Sequence, residues 1–90
     1  MKHVDGFVVR EIAGKRVAVA IGDRVRTFNG MISLGNETAY LLWSALDTDQ
    51  TEESLVALLT ERYDVSEEQA SGDVHRFVEQ LREAGLLDES

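Results

Sequence analysis

His3 and His75 are the only imidazoles in the sequence, and they lie too far apart along the chain to suggest a local metal-ligand pair. With no cysteine, there is neither a thiolate ligand nor a disulfide framework. The acid pairs Glu52-Glu53 and Glu67-Glu68 could divide general acid and base work between them. Adjacent helical residues, however, point about 100° apart, and both pairs fall where the first turn of a helix favours negative charge anyway. None of Ser33, Ser44, Ser54, Ser66, Ser71 and Ser90 lies in a Gly-x-Ser-x-Gly context. Gly30 and Gly35 compose no phosphate-loop pattern, and no lysine follows them. Residue types and spacing therefore predict no catalysis, no metal and no cofactor.

A chain of 90 residues fits one domain with one core, and a content of 43% hydrophobic and 29% charged residues is that of a folded domain. No window approaches the roughly twenty apolar residues of a membrane helix, so the expected location is cytoplasmic with no membrane contact. Charge is unevenly divided. Residues 1–34 carry six basic side chains against three acids, a net of +3, and the remainder carries three against fourteen, a net of −11.

Phe7-Val8-Val9-Arg10-Glu11-Ile12 and Arg16-Val17-Ala18-Val19-Ala20-Ile21 are β-branched runs separated by Ala13-Gly14-Lys15, the pattern of a hairpin. In the second run Val17, Val19 and Ile21 alternate with Arg16, Ala18 and Ala20, and the larger set is expected to face the core. A third strand is expected at 31–34. Its approach is open between a two-residue turn at Asn29-Gly30, following Arg24-Val25-Arg26-Thr27-Phe28, and a bulge at Gly30 inside one longer strand. From Asn36 the period changes to about 3.6. Helices are expected over about 36–47, 51–63 and 66–84, capped by Asn36, Thr51 and Ser66. Gln69 completes a capping box with Ser66, and Gly85 stands at the left-handed C-terminal position. The buried stripes are Ala39, Leu42, Trp43 and Leu46, then Leu55, Leu58 and Leu59, then Ala70, Val74, Phe77, Val78 and Leu81. Trp43 and Tyr40 thus read as core and rim. Gly72 interrupts the third helix at a cost of about 1 kcal/mol relative to alanine. The fold class is α+β: two to three antiparallel N-terminal strands, about 7–12, 16–21 and 31–34, then three helices on one sheet face.

That order looks like a winged-helix module. The segments Gly30-Met31-Ile32-Ser33-Leu34, Asn36-Glu37-Thr38 and Leu42-Trp43 resemble the PqqD-like family, and the likeness continues through Tyr63-Asp64-Val65, Asp73-Val74, Phe77, Leu81 and Ala84-Gly85-Leu86-Leu87. It covers nearly the whole chain from Phe7 onward, and the Asn-Glu-Thr step between strand and Trp-bearing helix is its most specific part. The chain departs from the pattern at Gly35, an extra residue before Asn36, and at Gly72. The resemblance implies a recognition element that binds the leader of a ribosomally made precursor peptide and presents it to a modifying enzyme, often a radical S-adenosylmethionine enzyme. It also implies that the leader adds as a strand beside the third strand and lies against the third helix. The peptide-binding residues so implied are Met31, Ile32, Ser33 and Leu34 on the strand, with Asp73, Arg76, Phe77 and Gln80 on the helix at i, i+3, i+4 and i+7.

Two alternatives accompany this reading. An open edge strand could instead pair with its twin and make a homodimer, a structural role. A winged-helix DNA-binding regulator would lay its last helix in the major groove, yet residues 66–84 carry five acids against Arg76 and Arg82, a net of −3 facing phosphate. Nucleic acid is therefore not an expected partner.

Overall fold

The computed structural model describes residues 1–23, 25 and 31–89. Among them the elements run β1 (Lys2–His3), β2 (Phe7–Ile12), β3 (Lys15–Ala20), β4 (Met31–Ser33), α1 (Glu37–Ala45), α2 (Glu52–Arg62), α3 (Glu67–Glu83) and β5 (Leu87–Asp88). The chain thus has the α+β order expected, antiparallel strands followed by three helices. No helix among the described residues is long and apolar enough to cross a membrane.

β2 and β3 form the hairpin, with Ile12 paired to Lys15 across a two-residue loop. Ala13 at φ +53° and Gly14 at φ +80° both lie in the left-handed region, which a loop of this length with the right strand twist demands. Gly14 meets that demand without strain. Ala13, with its Cβ, does so at a cost of about 1–2 kcal/mol. β4 then pairs antiparallel to the other side of β3, giving the strand order β2-β3-β4. The Asn29-Gly30 turn or bulge lies outside the described residues. Of the run before it only Val25 is described, and its N–H donates to the Gly22 carbonyl at 3.2 Å, which is turn geometry.

The sheet presents to the helices the face opposite to the one its larger residues suggest. Ala18 is fully buried in the helical core, where its neighbour across β4, Ile32, also packs. Phe7, paired with Ala20, meets Trp43 edge-on at 5.8 Å, and the Arg16 guanidinium lies 4.4 Å over the Tyr40 ring. Arg16, Ala18 and Ala20 therefore face α1, and Val17 and Val19 face away, with Ile21 continuing their alternation. Both sets are apolar enough to be buried, so alternation gives the period but not which face is inward. Alanine on the inner face leaves room for the Trp43 ring, which shares the core cluster with Ala18 and meets Phe7.

Each helix starts on the cap expected from its sequence. The Ala39 N–H donates to Asn36 Oδ1 at 2.7 Å, the Ser54 N–H to Thr51 Oγ1 at 3.0 Å, and the Gln69 N–H to Ser66 Oγ at 3.1 Å. The reciprocal box forms at Thr51, whose N–H donates to Ser54 Oγ at 2.9 Å, and not at Ser66. Serine at the third helical position reaches back over a shorter distance than glutamine does, with fewer torsions to order. α3 closes on Gly85 at φ +74°, with the Leu86 N–H on the Leu81 carbonyl at 2.9 Å and the Gly85 N–H on Arg82 at 3.1 Å. Leu81 and Leu86 are both buried, the apolar contact that accompanies such a cap.

The two ends of the chain meet, which periodicity does not foretell. β1 pairs with β5, the His3 N–H donates to the Leu46 carbonyl and the Val4 N–H to Leu86, both at 2.9 Å. The His3 ring stacks on Trp43 at 4.3 Å with an interplanar angle of 4°, and its Nε2 lies 2.7 Å from Asp47 Oδ1. Met1 and Val4 pack against the same core. Beyond β5, Glu89 closes a fork on Arg82, at 2.7 Å and 3.1 Å, and Arg82 also pairs with Glu79.

Candidate functional site

β4 is paired on one side only among the described residues. Which of its backbone groups face outward follows from one bond: the Leu34 N–H donates to the Arg16 carbonyl at 2.9 Å. In the antiparallel register Arg16 opposite Leu34 is thus a hydrogen-bonded position, and such positions alternate along the ladder. Ala18–Ile32 is the next bonded pair, and Val17–Ser33 and Val19–Met31 lie between them. The N–H and C=O groups of Met31 and Ser33 consequently point away from β3, toward the open edge.

Beside that edge lies a groove of about 850 Å³ between β4 and α3. Ile32 and Ser33 contribute the strand side, and Asn36, Thr38, Ala39 and Leu42 come from the start of α1. The opposite wall is α3, with Asp73, Arg76, Phe77, Gln80, Leu81, Glu83 and Ala84, and Leu86 closes the far end. Phe77 is 9% exposed and belongs to the core, so its ring is both floor and support. Arg76 is paired with Asp73 one turn earlier and remains largely exposed. Glu83 has no ion-pair partner among the described residues.

Of the residues nominated from the sequence, Ile32, Ser33, Asp73, Arg76, Phe77 and Gln80 line this one groove. Leu34 is 1% exposed, its side chain in the core and its amide on β3, so it anchors the strand beneath the groove. Met31 contributes outward backbone. The nomination missed the α1 side and the last turn of α3. The i+3/i+4 progression from Asp73, continued one turn past Gln80, reaches Glu83 and Ala84, and Thr38 stands in the Asn-Glu-Thr step already singled out. Neither departure from the family pattern intrudes. A Cβ at Gly72 would meet nothing within 4 Å, and one at Gly35 would meet Ser33 Oγ at 3.4 Å, an ordinary contact.

No group of three or more histidine, aspartate or glutamate side chains among the described residues could hold a metal ion. A family model described as coenzyme PQQ synthesis protein D (PqqD) matches residues 17–87, which takes in β4, the groove and all three helices. The chain belongs to the PqqD family. Among solved structures, TbiB1 in complex with the TbiA(beta) leader peptide is similar to this PqqD-family chain at a TM-score of 0.73 and 21% identity, over 100% of this chain and 98% of that one. At that identity the likeness bears on the fold. No match was found among curated protein sequences.

Proposed function

We propose that this PqqD-family domain captures the leader segment of a ribosomally made precursor peptide by strand addition and presents it to a modifying enzyme, catalysing nothing itself. The observation that carries the reading is the open edge of β4, with Met31 and Ser33 outward, bordering a groove that a second polypeptide can fill. An extended peptide gains main-chain hydrogen bonds from those two residues, while its alternate side chains enter the groove and supply selectivity. Ile32 and Phe77 form the apolar floor, Leu34 holds the strand to the core, and Asp73, Arg76 and Gln80 form a polar rim. The TbiB1 complex supports this reading, since that protein has the same fold and was solved with a leader peptide. Radical S-adenosylmethionine enzymes are among the modifying enzymes that such domains often serve, and the site of action is the cytoplasm, where precursors are made.

The test is a titration of isotopically labelled protein with the synthetic leader of a precursor encoded beside its gene. The Met31 and Ser33 amides are expected to gain protection from solvent exchange, with the already bonded Ile32 and Leu34 amides unchanged. A leader that binds while leaving Met31 and Ser33 exchanging freely would refute strand addition. A stable dimer that the leader neither enters nor dissociates would favour self-association through the edge.

A further inference from the structure

The face of the sheet turned away from the helices is apolar and uncovered at its margins. At its middle Val8 and Val19 are half-buried and Val17 is 8% exposed, while Ile12 and Ile21 toward its edges are 49% and 44% exposed. By strand alternation Arg10 and Lys15 stand on this same face, both exposed, and neither takes part in an ion pair among the described residues. We propose that this face docks the modifying enzyme, through an enzyme surface that is apolar at its centre and bears carboxylates at its edge. The proposal rests on the reading of β4 as the leader-binding edge.

Three considerations select that occupant. A second copy stacked face to face would bring the unpaired Arg10 and Lys15 cations of both copies into one interface. A second copy presenting its acidic helices would match the charge but not the apolar centre, because the large exposed hydrophobics, Val9, Ile12, Ile21 and Val25, all precede the helices. Finally, a leader strand added to β4 extends the same sheet, and every second leader side chain then joins the outer face beside Ser33, one strand removed from Val17 and Val19. β2 and β3, of six residues each, and β4, of three, span a mean plane of about 240 Å², and a further strand of six residues would add about 100 Å². The domain's own patch is small against the roughly 800 Å² per partner of a stable complex, so the enzyme is held weakly by the empty domain and more firmly once the leader is in place.

The test uses the full chain, the synthetic leader and the purified modifying enzyme encoded beside the precursor, with binding read by interferometry and folding by circular dichroism. The variants are Ile21→Glu and the double change Arg10→Glu with Lys15→Glu, all outside the groove. The expected result is a loss of at least tenfold in enzyme affinity for each variant, leader affinity within twofold of the original, and enzyme binding to the unaltered domain enhanced by leader. Undiminished enzyme binding by both variants with leader binding intact overturns this proposal alone. Failure of the unaltered domain to bind leader overturns the groove reading and this proposal with it. Concentration-dependent self-association that Ile21→Glu abolishes would assign the face to a second copy. Pelleting with equimolar phosphatidylcholine–phosphatidylglycerol vesicles that the charge reversal abolishes would assign it to a lipid surface, and either result overturns enzyme docking.

Discussion

Proline at position 33 separates the two edges of β4. The Ser33 N–H points away from β3, so replacing it by a proline nitrogen removes no bond of the sheet, and proline is tolerated at such edge positions. The preceding residue, Ile32, is already extended, as a residue before proline must be. At position 32 the same substitution removes a ladder donor and leaves the carbonyl of fully buried Ala18 unpaired, which costs about 1–3 kcal/mol before the loss of the isoleucine side chain is counted. For a domain of this size each kcal/mol moves Tm by about 4–8 °C. Ser33→Pro is therefore expected to melt within a few degrees of the unaltered protein, and Ile32→Pro far below it. Leader binding reverses the ranking of interest. Ser33→Pro deletes one main-chain bond to the peptide, about 0.5–1.5 kcal/mol, and its ring stands in the path of a strand that must lie about 4.8 Å away. The sum predicts a loss of about tenfold or more in affinity, measured by fluorescence anisotropy with a labelled leader alongside thermal melts. Equal melting of the two variants would show that the alternation inferred from Leu34 is wrong, and unchanged affinity for Ser33→Pro would show that the leader does not pair with β4.

Gly72→Ala fills open space in the interior of α3 and is expected to stabilise the fold by about 1 kcal/mol, seen as a higher urea midpoint, with leader affinity unaltered. Ala13→Asn places a residue that tolerates the left-handed region at φ +53° and is expected to raise Tm by a few degrees, while a lower Tm would argue against strain at that turn. The hydrogen bond from Arg82 holds the Glu89 carboxyl below the ordinary carboxylate range and raises the guanidinium in turn. Because the folded value is depressed, the contribution of the pair is complete at neutral pH and is lost as pH falls through that value. The protection of the Val4 amide relative to its intrinsic exchange rate, through its bond to Leu86 beside β5, is expected to fall in acid, and Glu89→Gln should remove that loss of protection.

Much of the site was legible because its residues sit on regular elements. The Asn36 cap marks where β4 gives way to α1, and the i, i+3, i+4, i+7 row from Asp73 to Gln80 lies along one wall because a helix keeps such residues on one side. Thr38, Ala39 and Leu42 were not legible as groove residues, since their place beside β4 comes from how α1 packs against the sheet. The reciprocal cap at Thr51 and Ser54 was not legible because the pattern of such a box places glutamate or glutamine, not serine, at the third helical position.

By itself the sequence determined the succession of β2, β3, β4 and the three helices, the hairpin at Gly14, the helix starts at Asn36, Thr51 and Ser66, and the stop at Gly85, all of which depend on contacts within a few residues. Tertiary structure alone decided that Ala18 and Ala20 face inward while Val17 and Val19 face out, that His3 lies on Trp43, and that β1 closes against β5. Local pattern carries a period without a phase. The phase of the sheet is set by which face accommodates Trp43 and the rest of the helical core, and the meeting of the chain ends by residues too far apart in sequence for any window to register.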